Sequence, residues 1–266
     1  MKRILKKFRY TFSDIVGYDK SLFLEQKKLL GEQGITLYYV DPPGLHSYIH
    51  IFNGIEGVVE AYYDHPDLFH ELYEFSVKRC FQELEIALDA GVDAILTGGS
   101  GALTLSSPAI WRELSLPVIK KITKICKEAG VLSGVHACGK SYYLCEACAN
   151  ETDLNFVNPL ETPPMGDCEL AVVKKNFGHK LALMGNLHTT EIMLYGSTQD
   201  VRRESLKAIR DAGLNGGFVL SDADQCGRDT PHENIFEMIN TAKEFGTYPL
   251  DMERIENEIK KLEINV

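Results

Sequence analysis

The sequence predicts an α/β protein of the TIM (β/α)8-type barrel class, shortened at its N-terminus. Short apolar segments rich in β-branched residues alternate with helical patterns along most of the chain. Each strand–helix unit takes about 25 to 40 residues, and this repeat implies a parallel sheet, either a closed barrel or a doubly wound sheet. About six strands can be counted, whereas a complete barrel needs eight.

The elements follow from apolar periodicity and from Gly and Pro punctuation. Residues 1–35 form an N-terminal helical segment of two stretches, and the second stretch ends at Gly31 or Gly34. The segment 41–55 is ambiguous and either hides a further strand or leaves the N-terminal part short. Predicted strands cover 34–40, 92–97, 131–137, 155–160, 181–184 and 217–221, and predicted helices cover 66–90, 107–129, 141–150, 168–177, 198–212, 232–245 and 251–263.

The chain is predicted to form a single barrel domain over residues 1–266. Neither a linker nor a break in composition interrupts it. An incomplete barrel would expose a strand edge, and a homodimer that covers this edge is therefore an open alternative.

The composition argues against several classes of protein. The net charge of -10 disfavours a nucleic-acid partner, because phosphate binding needs clustered Lys and Arg. No apolar run reaches the length of a membrane-spanning helix. The basic start of the chain is not followed by the apolar core of a signal peptide. We therefore expect a cytoplasmic protein without a membrane partner.

The chain has seven cysteines. Their odd number and irregular spacing argue against a disulfide scaffold. Metal binding or burial is the better interpretation. Cys145-x-x-Cys148 lies inside a predicted helix and has no second pair of matching spacing. We interpret these two cysteines as packing residues.

His136 and Cys138 end a predicted strand and indicate a metal site. Side chains alternate between the faces of a strand, so these two point the same way. Glu161 follows the next strand, and Cys226 lies in the loop after the last strand. The carboxyl ends of barrel strands share one rim, so the four residues are candidate zinc ligands.

Other polar residues at this rim are weaker candidates. Asn186 and His188 follow the fifth strand and could orient a substrate or a ligand. Asp222 and Asp224 precede Cys226 and could pair with His136. Ser100, in the turn of residues 98–101, and Tyr142 and Tyr143 could line a pocket. From all the polar residues at this rim we choose Glu161, Asn186 and Asp222 as catalytic candidates. Ser100 and Tyr142 are the cofactor-binding candidates.

Several motifs together resemble one family. They are Gly134-Val-His-Ala-Cys-Gly139, Met184-Gly-Asn-Leu187, Gly216-Gly-Phe-Val-Leu-Ser221, Asp229-Thr-Pro-His-Glu-Asn234 and Phe245-Gly-Thr-Tyr248. They resemble the uroporphyrinogen decarboxylase superfamily. Within it, they are similar to zinc-dependent, corrinoid-linked methyltransferases of the methylcobamide:coenzyme M methyltransferase type. Cobalamin-independent methionine synthase, which is related, adds a Glu about twenty residues after the first Cys, where Glu161 stands here.

The resemblance implies a zinc enzyme with ligands at His136, Cys138, Cys226 and Glu161. It implies transfer of a methyl group between a methylated corrinoid, carried by a partner protein, and a small thiol such as coenzyme M or homocysteine. In the opposite direction, related enzymes pass a methyl group from a small methyl donor, such as a methyl ether, to the corrinoid.

Two other functions stay open. One is a metal-free lyase of the decarboxylase type, which resembles this chain in fold but holds substrate carboxylates with an Arg-rich N-terminal motif. That motif is absent here, since Arg3 and Arg9 lie in a Lys-rich helix that does not match it. The other is a non-catalytic scaffold or corrinoid-binding remnant.

Overall fold

A computed structural model describes Lys7 and residues 14–264 of the chain. Most of the first helical stretch predicted within residues 1–35 lies outside these residues. The chain divides into two compact units. The prediction of a single domain stays a prediction. The first unit runs to His136 and includes Asn150–Leu154, and the second holds Ala137–Ala149 and the chain from Asn155 onward.

The first unit contains a parallel sheet with helices. Strand β1 pairs with β2, and β2 pairs with β3, in both cases in parallel. The strands are β1 (Leu37–Tyr39), β2 (Ala94–Gly98) and β3 (Leu132–His136). The helices are α1 (Ser21–Leu30), α2 (Ile55–Asp64), α3 (Pro66–Ala90), α4 (Pro108–Leu114) and α5 (Leu116–Ala129), with 3-10 turns at Gly31–Gln33 and Leu45–Tyr48.

Helix α3 is the longest element of this unit, and local sequence sets both of its ends. Pro66 occupies the first turn, where a missing N–H costs nothing. Gly91 ends the helix in the left-handed region, with φ 81°, and its N–H donates to the Leu88 carbonyl. The buried face of α3 carries Phe69, Leu72 and Leu84, which pack in the core of the unit together with Ile95 of β2.

The ambiguous segment 41–55 forms no strand in the described structure. Pro42 and Pro43 have no N–H to give to a sheet ladder. The chain turns instead, with the Ser47 N–H donating to Gly44 and the Ile51 N–H donating to Tyr48. A hidden strand here is therefore ruled out. Helix α2, which follows at once, was not predicted.

The single helix predicted over residues 107–129 is wrong, because the structure has two helices that meet at Ser115. Pro117 lies in the first turn of α5 and has no N–H for the Glu113 carbonyl. Ser107 caps α4 by accepting the N–H of Ile110.

The second unit also contains a parallel sheet. Strand β4 pairs with β5, and β5 pairs with β6. The strands are β4 (Phe156–Asn158), β5 (Ala182–Leu187) and β6 (Phe218–Asp222). The helices are α6 (Tyr142–Glu151, with its last two residues in the first unit), α7 (Leu170–Phe177), α8 (Thr198–Ala212), α9 (His232–Phe245) and α10 (Met252–Ile264), and a π-helical turn covers Thr189–Leu194.

Helices α8, α9 and α10 form a small core of their own. Leu206 and Ile209 of α8 are buried with Phe245 of α9 and Ile255 of α10. Arg202 lies over the Phe245 ring and pairs with carboxylates of α9 and α10, those of Glu237, Glu244 and Glu258. The π-helical turn was predicted only as a loop.

The strands follow the order β1-β2-β3-β4-β5-β6 in the sheet, so their order in space is their order in the chain. This is the sequential parallel arrangement that strand–helix repeats predict, and it confirms the α/β class. It excludes the doubly wound alternative, because a doubly wound sheet reverses its strand order at a switch point. Within the described residues no helix is both long and apolar enough to cross a membrane.

Asp93, just before β2, anchors the start of the first sheet. Its carboxylate accepts hydrogen bonds from Lys27 Nζ at 2.7 Å, and from the Thr36 hydroxyl and N–H at 2.6 and 2.7 Å. These donors, Lys27 first, lower the pKa of Asp93 to about 2.

We predict that Asp93→Asn destabilises the protein at pH 7. The folded pKa lies below the unfolded one, so Asp93 stabilises the fold fully above about pH 4, and this stabilisation is lost as the pH falls towards 2. We expect a melting temperature lower by about 2 to 4 °C at pH 7. The difference from wild type should shrink on acidification.

Thermal melts at several pH values measure this effect. Glu85→Gln, in an exposed position of α3, is the control for loss of one negative charge. An unchanged difference between pH 7 and pH 3 would contradict the assignment.

Candidate metal centre

The end of β3 presents two predicted ligands on one face. His136 is the last residue of the strand, and Ala137 is buried between it and Cys138. The Ala137 N–H donates to the Asn158 carbonyl at 2.8 Å, which extends the ladder past the strand. The alternation therefore continues, and Cys138, 9% exposed, follows the orientation of His136.

Asp224 completes a group of three ligand atoms. A nitrogen of His136, the sulfur of Cys138 and a carboxylate oxygen of Asp224 all lie within 4.8 Å of one another. The same alternation places Asp224, because the Ala223 N–H donates to the Leu187 carbonyl and so continues the ladder of β6. Asp222 and Asp224 flank the buried Ala223, as His136 and Cys138 flank Ala137.

Asp224 was predicted as a partner of His136 and not as a ligand. The pattern Asp222-x-Asp224 at the end of a strand is a signal that could have found it, since it repeats the spacing of His136-x-Cys138. Imidazole, thiolate and carboxylate are the three ligand types of zinc. A zinc ion held by these three residues would keep a position for a further ligand, as catalytic zinc sites do.

Glu161, a predicted ligand, lies buried in the second unit and is 3% exposed. Its Oε2 accepts the N–H of Gly139, the residue that follows Cys138. Its Oε1 is buried without a hydrogen-bond partner. Leu160, just before it, has φ 60°, a strained value for a leucine. A buried carboxylate oxygen without a partner is costly, and a cation is one group that would satisfy it. The ligand role of Glu161 stays a prediction.

Cys226, the other predicted ligand, lies two residues beyond Asp224 and is partly exposed. Its thiol lies near the Asp222 carboxylate. Burial and the Asp222 carboxylate raise the pKa of Cys226 to about 12. The structure therefore brings Asp222 and Cys226 together, and the ligand role of Cys226 also stays a prediction.

The remaining candidates have other surroundings. Asn186 Nδ2 donates to the Leu160 carbonyl at 3.1 Å and so braces the loop of Glu161. The Tyr142 hydroxyl accepts from Asn176 at 2.8 Å, and its ring packs on Phe177. Ser100 is exposed in the turn after β2. Asn186 and His188 line a cavity of about 310 Å³ in the second unit, together with Thr162, Leu187 and residues at the start of α7 and along α8.

The cysteines of the Cys-x-x-Cys pair are both buried. Cys145 lies within hydrogen-bonding reach of Cys168, whose Sγ is 3.2 Å from the Ser141 hydroxyl. No pairing into a disulfide occurs, since all seven cysteines are free.

Sequential parallel strands with polar side chains at their carboxyl ends define a barrel-type α/β protein with a candidate metal centre. The family model of uroporphyrinogen decarboxylase (URO-D) matches residues 41–245. The chain therefore belongs to the URO-D family, which confirms the resemblance of its motifs and the TIM-barrel class of its fold.

Curated relatives are distant. Uroporphyrinogen decarboxylase of Neisseria meningitidis serogroup C is 22% identical over 90% of this chain and 65% of its own length. Uroporphyrinogen decarboxylase of Helicobacter acinonychis is 25% identical over 86% of this chain and 63% of its own length. The chain thus spans less than two thirds of the length of these relatives.

Among solved structures, a methyltransferase from Methanosarcina mazei has a similar fold. The two chains align with a TM-score of 0.67 at 16% identity, over 83% of this chain and 62% of the other. Identity at this level shows the fold alone.

We predict that Cys138→Ser and Asp224→Asn each weaken metal binding more than about a hundredfold, since loss of an outer-shell partner alone typically costs 10- to 100-fold. Competition with a chromophoric zinc chelator measures the affinity. Cys148→Ser, which removes a buried thiol elsewhere in the second unit, should leave it unchanged.

Glu161→Gln and Cys226→Ser decide the rest of the ligand set. A loss as large as that of Cys138→Ser would make either residue a ligand. Unchanged zinc affinity in Asp224→Asn together with a large loss in Cys226→Ser would overturn the assignment of Asp224.

Proposed function

We propose that this protein is a zinc-dependent methyltransferase that moves a methyl group between a corrinoid carried by a partner protein and a small thiol. The observation that carries the proposal is the group of His136, Cys138 and Asp224, with ligand atoms within 4.8 Å of one another. The expected thiols are coenzyme M or homocysteine. The fold shared with a methyltransferase from Methanosarcina mazei supports the same class of reaction.

The donor set fits zinc, and His136, Cys138 and Asp224 would hold it. Bound zinc would keep a substrate thiol deprotonated near neutral pH while leaving its sulfur nucleophilic. Cys138, as thiolate, and Asp224 balance the charge of the metal. The buried carboxylate of Glu161 would make the site more electron-rich, which would keep the substrate sulfur basic enough to attack a methyl group.

The chain's own residues position this site. The Gly139 N–H holds the Glu161 carboxylate, and Asn186 holds the Leu160 carbonyl beside it. In the reaction, the S–C bond forms as the Co–C bond breaks, the electron pair of the broken bond stays on cobalt, and the thiol proton leaves to solvent. The reverse direction, from a small methyl donor to the corrinoid, uses the same site and is the first alternative.

The second alternative is a metal-free decarboxylase, which the names of the curated relatives favour. Such a lyase needs cationic side chains that hold substrate carboxylates. Near the predicted rim of the second unit, the Arg228 side chain is 92% exposed and pairs with its neighbour Asp229. This arrangement favours the methyltransferase.

We predict that the zinc-loaded protein converts a thiol to its methyl thioether with free methylcobalamin as donor. Loss of the methylcobalamin absorbance and mass spectrometry of the thioether measure the reaction. Cys138→Ser should lower the rate at least about a hundredfold, because it removes a proposed ligand. Cys148→Ser should retain it.

A rate that is independent of zinc and of Cys138 would contradict this function. Release of carbon dioxide from a tetrapyrrole carboxylate by the metal-free protein would favour the lyase instead. Zinc binding without methyl transfer in either direction, with the corrinoid protein supplied, would favour the non-catalytic scaffold.

A further inference from the structure

Two segments of the second unit meet beside the candidate metal centre. One runs from Cys138 into the start of α6, and the other is the turn of residues 161–168 after β4, called the strap below. Glu161 opens the strap, and its Oε2 accepts the N–H of Gly139, the residue after Cys138. The position of the Glu161 carboxylate therefore depends on where the strap lies.

Asp167, near the other end of the strap, caps α6. Its Oδ1 accepts the N–H of Ser141 at 2.8 Å and that of Tyr142 at 2.9 Å. The first N–H groups of a helix have no partner within the helix, and the helix dipole favours a carboxylate there. Helix caps commonly come from the residue that directly precedes the helix, whereas Asp167 lies 25 residues beyond Tyr142. This cap therefore joins the strap to α6.

Close packing supports the same arrangement. The thiol of Cys168 lies 3.2 Å from the Ser141 hydroxyl, and both side chains are buried. A Cβ at Gly166 would lie 2.7 Å from the Gly139 carbonyl and would also collide with the Glu161 carbonyl. The strap and the Cys138 segment thus leave no room for a side chain at position 166.

Backbone hydrogen bonds close the strap on itself. The Gly166 N–H donates to the Thr162 carbonyl at 2.9 Å, and the Cys168 N–H donates to the Glu161 carbonyl at 3.0 Å. The second of these bonds links the first residue of the strap to the last. Because the two ends are linked, a shift of Asp167 is transmitted to Glu161.

The Glu161 side chain needs this support. It is 3% exposed, and its Oε1 is buried without a hydrogen-bond partner. Burial of a carboxylate oxygen without a partner is costly. The bonds of the strap offset this cost and keep Oε1 available for a cation.

We propose that Asp167 is a positioning residue, which holds the Glu161 carboxylate beside the Cys138 segment and so strengthens metal binding there. The proposal deepens the proposed function and rests on it for the metal. The hold of Asp167 on Glu161 is itself independent of any metal.

The first experiment uses the metal-free full chain and follows hydrogen exchange of the Gly139 amide by NMR. Asp167→Ala should accelerate this exchange by about tenfold, because the strap is released from α6 and Glu161 loses its fixed place. Asp167→Asn keeps an oxygen that can accept both N–H groups, so it should restore the wild-type rate.

Asp251→Ala is the matched control for the loss of an aspartate cap. Asp251 caps α10 in the same unit, where its Oδ1 accepts the N–H of Arg254 at 2.9 Å. An unchanged Gly139 rate in Asp167→Ala, or an equal acceleration in Asp251→Ala, would overturn the proposal.

The second experiment measures zinc affinity by competition with a chromophoric chelator, in a double-mutant cycle. Asp167→Ala should weaken zinc binding about tenfold, the loss typical of an outer-shell partner, and should have no further effect in Glu161→Gln. Asp167→Asn should bind zinc like the wild type. Equal losses in the presence and absence of Glu161 would mean that Asp167 acts on the fold in general, and the proposal would fail. Circular dichroism confirms that each variant is folded.

The outcomes separate the two proposals. If the effects of Asp167→Ala and Glu161→Gln on zinc affinity are independent while the protein still transfers methyl groups, the positioning role fails and the methyltransferase stands. If the two effects are coupled but no methyl group is transferred in either direction, the methyltransferase fails and the positioning role stands.

Discussion

The strict alternation of side chains at strand ends is the constraint on which the candidate site depends. Ala137 and Ala223 each donate an N–H to a neighbouring strand, to Asn158 and Leu187 respectively, and both are buried. Each of these bonds continues a ladder beyond its strand, so the residues on either side of the alanine share a face. His136 with Cys138, and Asp222 with Asp224, owe their orientation to these backbone bonds. A slip of one residue would turn every one of these groups away.

Much of the architecture could be predicted because it depends on local sequence. Helix α3 begins at Pro66 and ends at Gly91, and helices α8 and α9 were predicted at their observed bounds. The misses have local causes that a periodicity count overlooks. Pro117 divides one apolar pattern into two helices, and helix α2, which follows the ambiguous segment 41–55, was not predicted. The π-helical turn at Thr189–Leu194 has no comparable marker, since it depends on the His188 side chain, which accepts the N–H groups of Thr190 and Glu191.

The candidate site was predictable in its residue types and only partly in its membership. His136 and Cys138 lie together because two positions on one strand fix their spacing. Asp224 joins them because the backbone bond of Ala223 extends the alternation beyond β6, whereas the strand predicted over residues 217–221 ended before it.

The distribution of cysteines has a practical consequence. Six of the seven thiols are buried, and the partly exposed one, Cys226, lies two residues beyond Asp224. A thiol reagent applied to the folded protein therefore meets a single accessible sulfur, which reacts slowly because its pKa is raised to about 12. Counting the alkyl adducts by intact-mass spectrometry would distinguish native molecules, which carry one adduct, from unfolded molecules, which carry seven. The extent of that one modification would also report, without any mutation, whether a metal ion is bound beside the loop that carries Asp224.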